Sequence, residues 1–137
     1  MYLTTRSRYG LRAMAVVAQA TEEKPVSLST VAEALSLSNN YLEQLFRLLR
    51  KGKLLESTRG VYGGYHLTRP ADQISVGDML RCLEGPLFFA DCVQAGDCPK
   101  GNSACSTRMV ISAISEAVRE KVDSMTLQDM LDHEKLV

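Results

Sequence analysis

Cys92, Cys98 and Cys105 stand in the stretch CVQAGDCPKGNSAC, spaced C-x5-C-x6-C. Thiolates are ligands for soft metals and iron–sulfur clusters, and three of them in one loop make most of a ligand set. Structural zinc sites use C-x2–4-C knuckles, and ferredoxin clusters use C-x2-C-x2-C or C-x4-C-x2-C runs. The spacing here argues against both a zinc ribbon and an electron-carrying ferredoxin. Long gaps can still wrap a cluster, Gly96 and Gly101 let backbone N–H groups face sulfurs, and Pro99 stiffens the chain after Cys98. The fourth cysteine, Cys82, lies in DMLRCLEG near Met79 and Leu83, a setting that suits a small core thiol. His66 reads as part of a half-buried strand. No acid–base pair, nucleophile triad or phosphate loop is visible, which argues against an enzyme.

A second set of residues could recognise nucleic acid. Formal net charge is zero over 137 residues, but the charge is not evenly spread. Residues 1–60 hold nine Lys and Arg against five Glu, whereas the remainder holds seven basic and eleven acidic residues. A basic half joined to an acidic half suggests a local footprint for phosphate. The start, MYLTTRSRYG, lacks the apolar core and cleavage site of a signal peptide. No run approaches the roughly 18 apolar residues of a membrane span. The expectation is a cytosolic protein with reduced thiols, where cysteines serve metal or redox chemistry rather than a disulfide framework.

The elements that must position these residues are mostly helices. Thr4 or Thr5 caps a first helix to about Ala20, with Tyr9, Ala13, Met14, Val16 and Val17 on its apolar face. Ser29 caps a second, TVAEAL, with Val31, Ala32 and Leu35 inward; SLS makes a tight turn, and Ser38 caps a third, NNYLEQLFRLLRKG. Leu42, Leu45, Phe46 and Leu49 fall at helical spacing on that third helix, which Gly52 ends. Two short helices joined by such a turn, the second ending in Arg50, Lys51 and Lys53, form a helix-turn-helix. LLESTRGVYGGYHLT then reads as a β-hairpin with Arg59 and Gly60 at its tip, the wing of a winged helix. Ser75 caps VGDMLRCLEG, the cysteine loop follows, and TRMVISAISEAVREKVDSM carries Met109, Val110, Ala113, Ile114, Ala117, Val118 and Val122 as one apolar stripe. A small domain leaves little core to cover that stripe, so a second copy of the chain is its expected partner.

Several of these stretches together resemble the IscR, NsrR and CymR family of bacterial winged-helix repressors. They are LTTRSRYGLRAM, NNYLEQLFRLLRKGKL, STRGVYGGYHL, ISVGDMLRCLEG and the cysteine loop, nearly the whole chain. The fold class expected is mainly α: a winged helix-turn-helix with a small β-hairpin wing and a long C-terminal dimerisation helix. Residues 1–68 form the DNA-binding domain, 69–91 a connecting helix, 92–105 the cluster-binding loop, and 106–137 the dimerisation helix with a short final helix. The function implied is a homodimeric DNA-binding transcriptional repressor with a palindromic double-stranded operator. An iron–sulfur cluster on Cys92, Cys98 and Cys105, of the 2Fe–2S kind before the 4Fe–4S kind, would sense cluster status, redox state or nitric oxide.

On the DNA side, the resemblance makes Ser38, Asn40, Glu43 and Gln44 the matching base- or backbone-contacting positions. Glu can accept from cytosine N4, and Asn and Gln can pair with adenine. Arg6, Arg8, Arg47, Arg50, Lys51 and Lys53 would meet phosphates, and Arg59 would enter a narrow minor groove. Tyr41 either bonds a phosphate or packs. The fourth ligand is where the chain departs from its relatives. A His of the IscR branch is matched by Arg108, and an Asp of the NsrR branch by Arg8; neither can ligate, and the gap before Cys105 is one residue longer. Cys82, Asp91, Asp97, Ser103, Ser106, Glu116, His133 and a non-protein ligand stay open. Because that ligand is missing, a second reading keeps the DNA-binding dimer but controls it by thiol oxidation, zinc or a protein partner without a cluster.

Overall fold

Three serines punctuate the chain. Ser27, Ser38 and Ser75 each accept a hydrogen bond on Oγ from the backbone N–H three residues on, at 3.1, 3.2 and 2.9 Å. Each thereby supplies one of the acceptors that the first turn of a helix lacks. In return the Asp78 carboxylate accepts a hydrogen bond from the Ser75 N–H, completing a capping box. The computed structural model describes residues 3–94 and 105–136. The order is α1 (Thr5–Val17), α2 (Leu28–Leu35), α3 (Asn39–Lys51), β1 (Leu55–Thr58), β2 (Gly64–Leu67), a 3-10 turn (Ala71–Gln73), α4 (Val76–Glu84), α5 (Asp91–Gln94), α6 (Ser106–Ser124) and α7 (Leu127–Leu136). This is the expected mainly α fold with a two-stranded wing, and the turn between α2 and α3 closes through Ser36 in the left-handed region at φ 55°.

Several boundaries differ from the sequence reading. The second helix starts two residues early because Ser27, not Ser29, is its cap. The first ends at Val17 rather than near Ala20. Thr4 holds the N-cap position of α1 but does not cap it; its N–H and hydroxyl both donate to the Glu84 carboxylate at the end of α4. Ser7 donates to the same oxygen at 2.6 Å, and Arg6 stands 3.8 Å from the other. Burial alone would raise the Glu84 carboxyl, but the Ser7 and Thr4 donors, helped by Arg6, outweigh it and hold it below its ordinary value. The wing turn is also longer than an Arg59–Gly60 tip: it runs from Arg59 to Gly63, with Val61 and Tyr62 farthest out.

The core sits between α1, α3 and α4. Met14, Val17, Leu42, Leu45, Phe46, Leu49, Met79, Leu80 and Leu83 are all fully buried there, with Leu127 of α7 closing one side. The wing is fastened to this body. Phe46 and Tyr65 rings meet at 4.6 Å, and Tyr65 pairs with Val26 through N–H to O contacts of 3.0 and 2.7 Å. In α6 the stripe proves to be two faces. Met109, Val110 and Ile114 point away from the body, whereas Val122 packs against the core and Val118 is half-buried. Arg81 of α4 clamps α6 with two hydrogen bonds to Asp123, 2.7 and 2.8 Å, which hold the Asp123 carboxyl below its ordinary value. Among the described residues no helix is long and apolar enough to cross a membrane.

Candidate nucleic-acid interface and cysteine site

The 3.6-residue period of α3 separates its two faces cleanly. Leu42, Leu45, Phe46 and Leu49 are buried, and Asn40, Glu43, Gln44, Arg47, Arg50 and Lys51 are exposed on the other side. Asn40, Glu43, Gln44 and Arg47 follow one another at spacings of three, one and three residues, so they form one outward ridge. Ser38 uses its hydroxyl to cap the helix. Tyr41 is half-buried with its ring edge-on to Tyr9 at 6.3 Å, so packing claims most of its ring. Arg50 and Lys51 lie in the last turn of α3, where the helix dipole favours cations. Arg50 and Lys53 border a groove of about 550 Å³ whose other rim carries the hydroxyls of Ser57, Thr58 and Thr68, with Glu22 and Glu56 also along it. Arg59 is exposed on the wing turn. Mixed donors and acceptors on a rigid exposed ridge, flanked by cations, suit base edges and phosphates and offer nothing for covalent chemistry.

The cysteines divide into two places. Cys92 is half-buried on α5, a short helix where the sequence predicts loop. Cys105 is the N-cap of α6 and accepts the Arg108 N–H on Sγ at 3.4 Å. The Arg108 side chain donates from Nε to the Cys92 carbonyl at 3.3 Å. One residue therefore ties the two cysteine segments together, and α5 packs along α6. Cys98 lies outside the described residues, as do Asp97 and Ser103. Cys82 sits elsewhere, against Gly52 at the end of α3, so close that a Cβ on Gly52 would stand 2.1 Å from its Sγ. Burial, with the Asp78 charge behind it, pushes the Cys82 thiol up and keeps it protonated. Among the described residues Cys82, Cys92 and Cys105 are not gathered into one metal-holding group. The donor types fit a cluster: two thiols on segments that Arg108 joins, and an amide already donating to sulfur.

Comparison with known proteins decides what this arrangement belongs to. The family model for Rrf2, an iron-dependent transcriptional regulator, matches residues 3–133. The chain belongs to the Rrf2 family. It is 37% identical over 131 residues to the protein rrf2 of Nitratidesulfovibrio vulgaris, covering 96% of this chain and 87% of that one. It is 38% identical over 133 residues to the HTH-type transcriptional regulator CymR of Bacillus subtilis, covering 97% and 91%. The structure of that CymR, named the global cysteine regulator, superposes with a TM-score of 0.80 over 97% of this chain and 98% of that one. The T. potens IscR structure, 40% identical, superposes with a TM-score of 0.76 over 98% of this chain and 88% of that one. This Rrf2 protein is a winged-helix DNA-binding transcriptional regulator of the IscR and CymR type, and not an enzyme.

What sequence reasoning missed lies mainly between distant residues. Glu84 and its donors are separated by 77 to 80 positions, and Arg81 and Asp123 by 42. Nothing local marks either pairing. The apolar wing tip at Val61 and Tyr62 was missed as well, because the sequence reading placed Arg59 and Gly60 there.

Proposed function

We propose that this Rrf2 protein is a homodimeric repressor that reads a palindromic operator with α3 and is controlled by an iron–sulfur cluster on Cys92, Cys98 and Cys105. The observation that carries the DNA reading is the ridge of α3, where Asn40, Glu43 and Gln44 are exposed and Leu42, Leu45, Phe46 and Leu49 opposite are buried. Asn40, Glu43 and Gln44 meet base edges in the major groove; Ser38, Tyr41, Arg47, Arg50 and Lys51 meet the backbone. Arg59 reaches the minor groove. Residues 1–68 make the reading head and 106–137 the dimer contact, through Met109, Val110 and Ile114 of α6. Half-sites about 34–36 Å apart then require the two heads to hold a fixed relation.

Control follows from what links the cysteines to the heads. Arg108 joins Cys92 to the start of α6, and Arg81 joins α6 to α4, which packs on α1 and α3. A shift of α5 against α6 therefore reaches the reading heads through a short chain of contacts. A bound cluster would supply iron and sulfide that react with oxidants and nitric oxide, and Cys92 and Cys105 would hold it between α5 and α6. One observation favours a second reading, in which thiol oxidation, zinc or a protein partner controls the same dimer. Arg108, with no ligating atom, is the residue that bridges the two cysteine segments.

Anaerobic purification with iron and sulfide assay and an absorption spectrum tests the cluster. Selection of duplexes from a random library tests the DNA reading. Near-stoichiometric iron and sulfide, lost in Cys92→Ser, supports the cluster. Colourless protein after anaerobic reconstitution, still binding its selected duplex, removes it and leaves thiol, zinc or partner control.

A further inference from the structure

The tip of the wing presents two large apolar side chains to solvent, Tyr62 at the rim of a cavity that Val16, Glu23 and Pro25 also line. Val61 is 95% exposed and Tyr62 is 92% exposed. A single exposed apolar residue is ordinary, but two adjacent ones at the apex of a hairpin are not placed there by the core. The turn that carries them is closed. The Gly63 N–H donates to the Gly60 carbonyl at 3.0 Å, which puts Val61 and Tyr62 at the two central positions of a β-turn. Gly60 takes φ 111°, open to glycine, and a Cβ on Gly63 would lie 2.1 Å from the Thr58 carbonyl oxygen. Below the tip, a Cβ on Gly64 would strike the Val26 carbonyl at 2.3 Å, so the stem is pressed against the body. The pair is therefore projected by a defined turn.

Charge and size indicate the occupant. Arg59 directly precedes this turn, and no acidic residue occurs from Ser57 to Tyr65. A hairpin tapers at its turn, so Val61, Tyr62 and Arg59 are the side chains that would enter the roughly 6 Å wide minor groove. A cation beside apolar side chains is the combination that enters that groove, where apolar wedges part a base step and bend the duplex. We infer that Val61 and Tyr62 form such a wedge, entering the minor groove beside Arg59 at the outer edge of each half-site. The wedge selects a deformable pyrimidine–purine step that no residue of α3 touches. This inference rests on the DNA reading above and adds to it a specificity determinant of a different kind, one that reads stiffness rather than base edges.

The test uses the full chain and the duplex that wild type enriches from a random library. Affinity and bend angle, the latter from end-to-end energy transfer, are measured for wild type, Val61→Ser/Tyr62→Ser and Tyr62→Phe. The double variant is expected to bind on the order of ten times more weakly, to lose the bend, and to lose its preference at the flanking step. It should keep the bases set by α3, and Tyr62→Phe should behave as wild type. An unchanged melting temperature checks that the tip has no structural role. If the double variant binds, bends and discriminates as wild type does, the wedge is wrong while the reading by α3 stands. If wild type enriches no duplex at all, the DNA-reading assignments fail and the wedge falls with them.

Discussion

Ile114→Glu would test the proposed dimer face of α6 with little risk to the fold. Met109, Val110 and Ile114 are 68%, 51% and 46% exposed in the single chain. Full burial of such a side chain contributes about 1.5–3 kcal/mol, so covering the exposed half gives about 1 kcal/mol each. Across a two-fold axis these residues act in duplicate, about 6 kcal/mol in all, against the cost of association. Ile114→Glu removes that contribution in both protomers and asks two carboxylates to leave water unpaired, at several kcal/mol apiece. A loss of at least about 4 kcal/mol raises the dimer dissociation constant on the order of a thousandfold. Sedimentation equilibrium should show monomer at concentrations where wild type is dimeric. Circular dichroism should show unchanged helix content, because Ile114 is not part of the buried core. Ile114→Leu should stay dimeric. Wild-type dimer affinity in Ile114→Glu would refute the assignment of this face.

Three further outcomes are expected. Glu43→Ala should relax discrimination at one base pair of each half-site by about 1–3 kcal/mol, while Lys53→Ala should weaken all sequences alike and lower the salt slope by about one. Competition binding at several salt concentrations separates the two, and identical base preferences for Glu43→Ala and wild type would remove Glu43 from the readers. Glu84→Gln should cost about 1–2 kcal/mol at neutral pH in urea unfolding. The folded carboxyl lies below its ordinary value, so its contribution is full above that value and fades as pH falls through the folded one. Wild type and variant should therefore converge in acid, and a constant gap would contradict the role given to Ser7 and Thr4. Gly52→Ala should destabilise by about 1–2 kcal/mol because its Cβ meets Cys82 Sγ. Adding Cys82→Ala should restore much of that loss in a double-mutant cycle, and additive losses would show that the two do not collide.

The reading head was legible because its signals are local. Ser38 followed by Leu42, Leu45, Phe46 and Leu49 specifies a capped helix and its buried side within a dozen residues. Ser27 and Ser29 could each begin α2, and the choice depends on where the chain arrives from α1, which periodicity does not report. The stripe on α6 failed in a different way. Seven apolar residues over five turns wrap too far round a helix to be one face, and only the position of α4, fixed through Arg81 and Asp123, sorts inner from outer. Cys82 was recognisable as a core thiol from Met79 and Leu83 alone. Arg108 was read as a missing ligand, but its bridge between Cys92 and Cys105 requires α5, a helix too short for periodicity to mark.

Among the described residues, the buried apolar core runs from Ala13 to Leu87 and resumes at Leu127. Among the described residues, the segment between them adds Val122 at the margin and Ser115 as a buried polar group. Substitutions outside a core usually change stability by no more than about 0.5 kcal/mol. Selection for a folded head therefore exerts little restraint on the stretch that carries Cys92, Cys105 and Arg108. That stretch can drift, gain a ligand or lose one, without passing through an unfolded ancestor. On the proposed function, a fold divided in this way keeps its operator while its signal is exchanged, so descendants can respond to new chemistry before they control new genes.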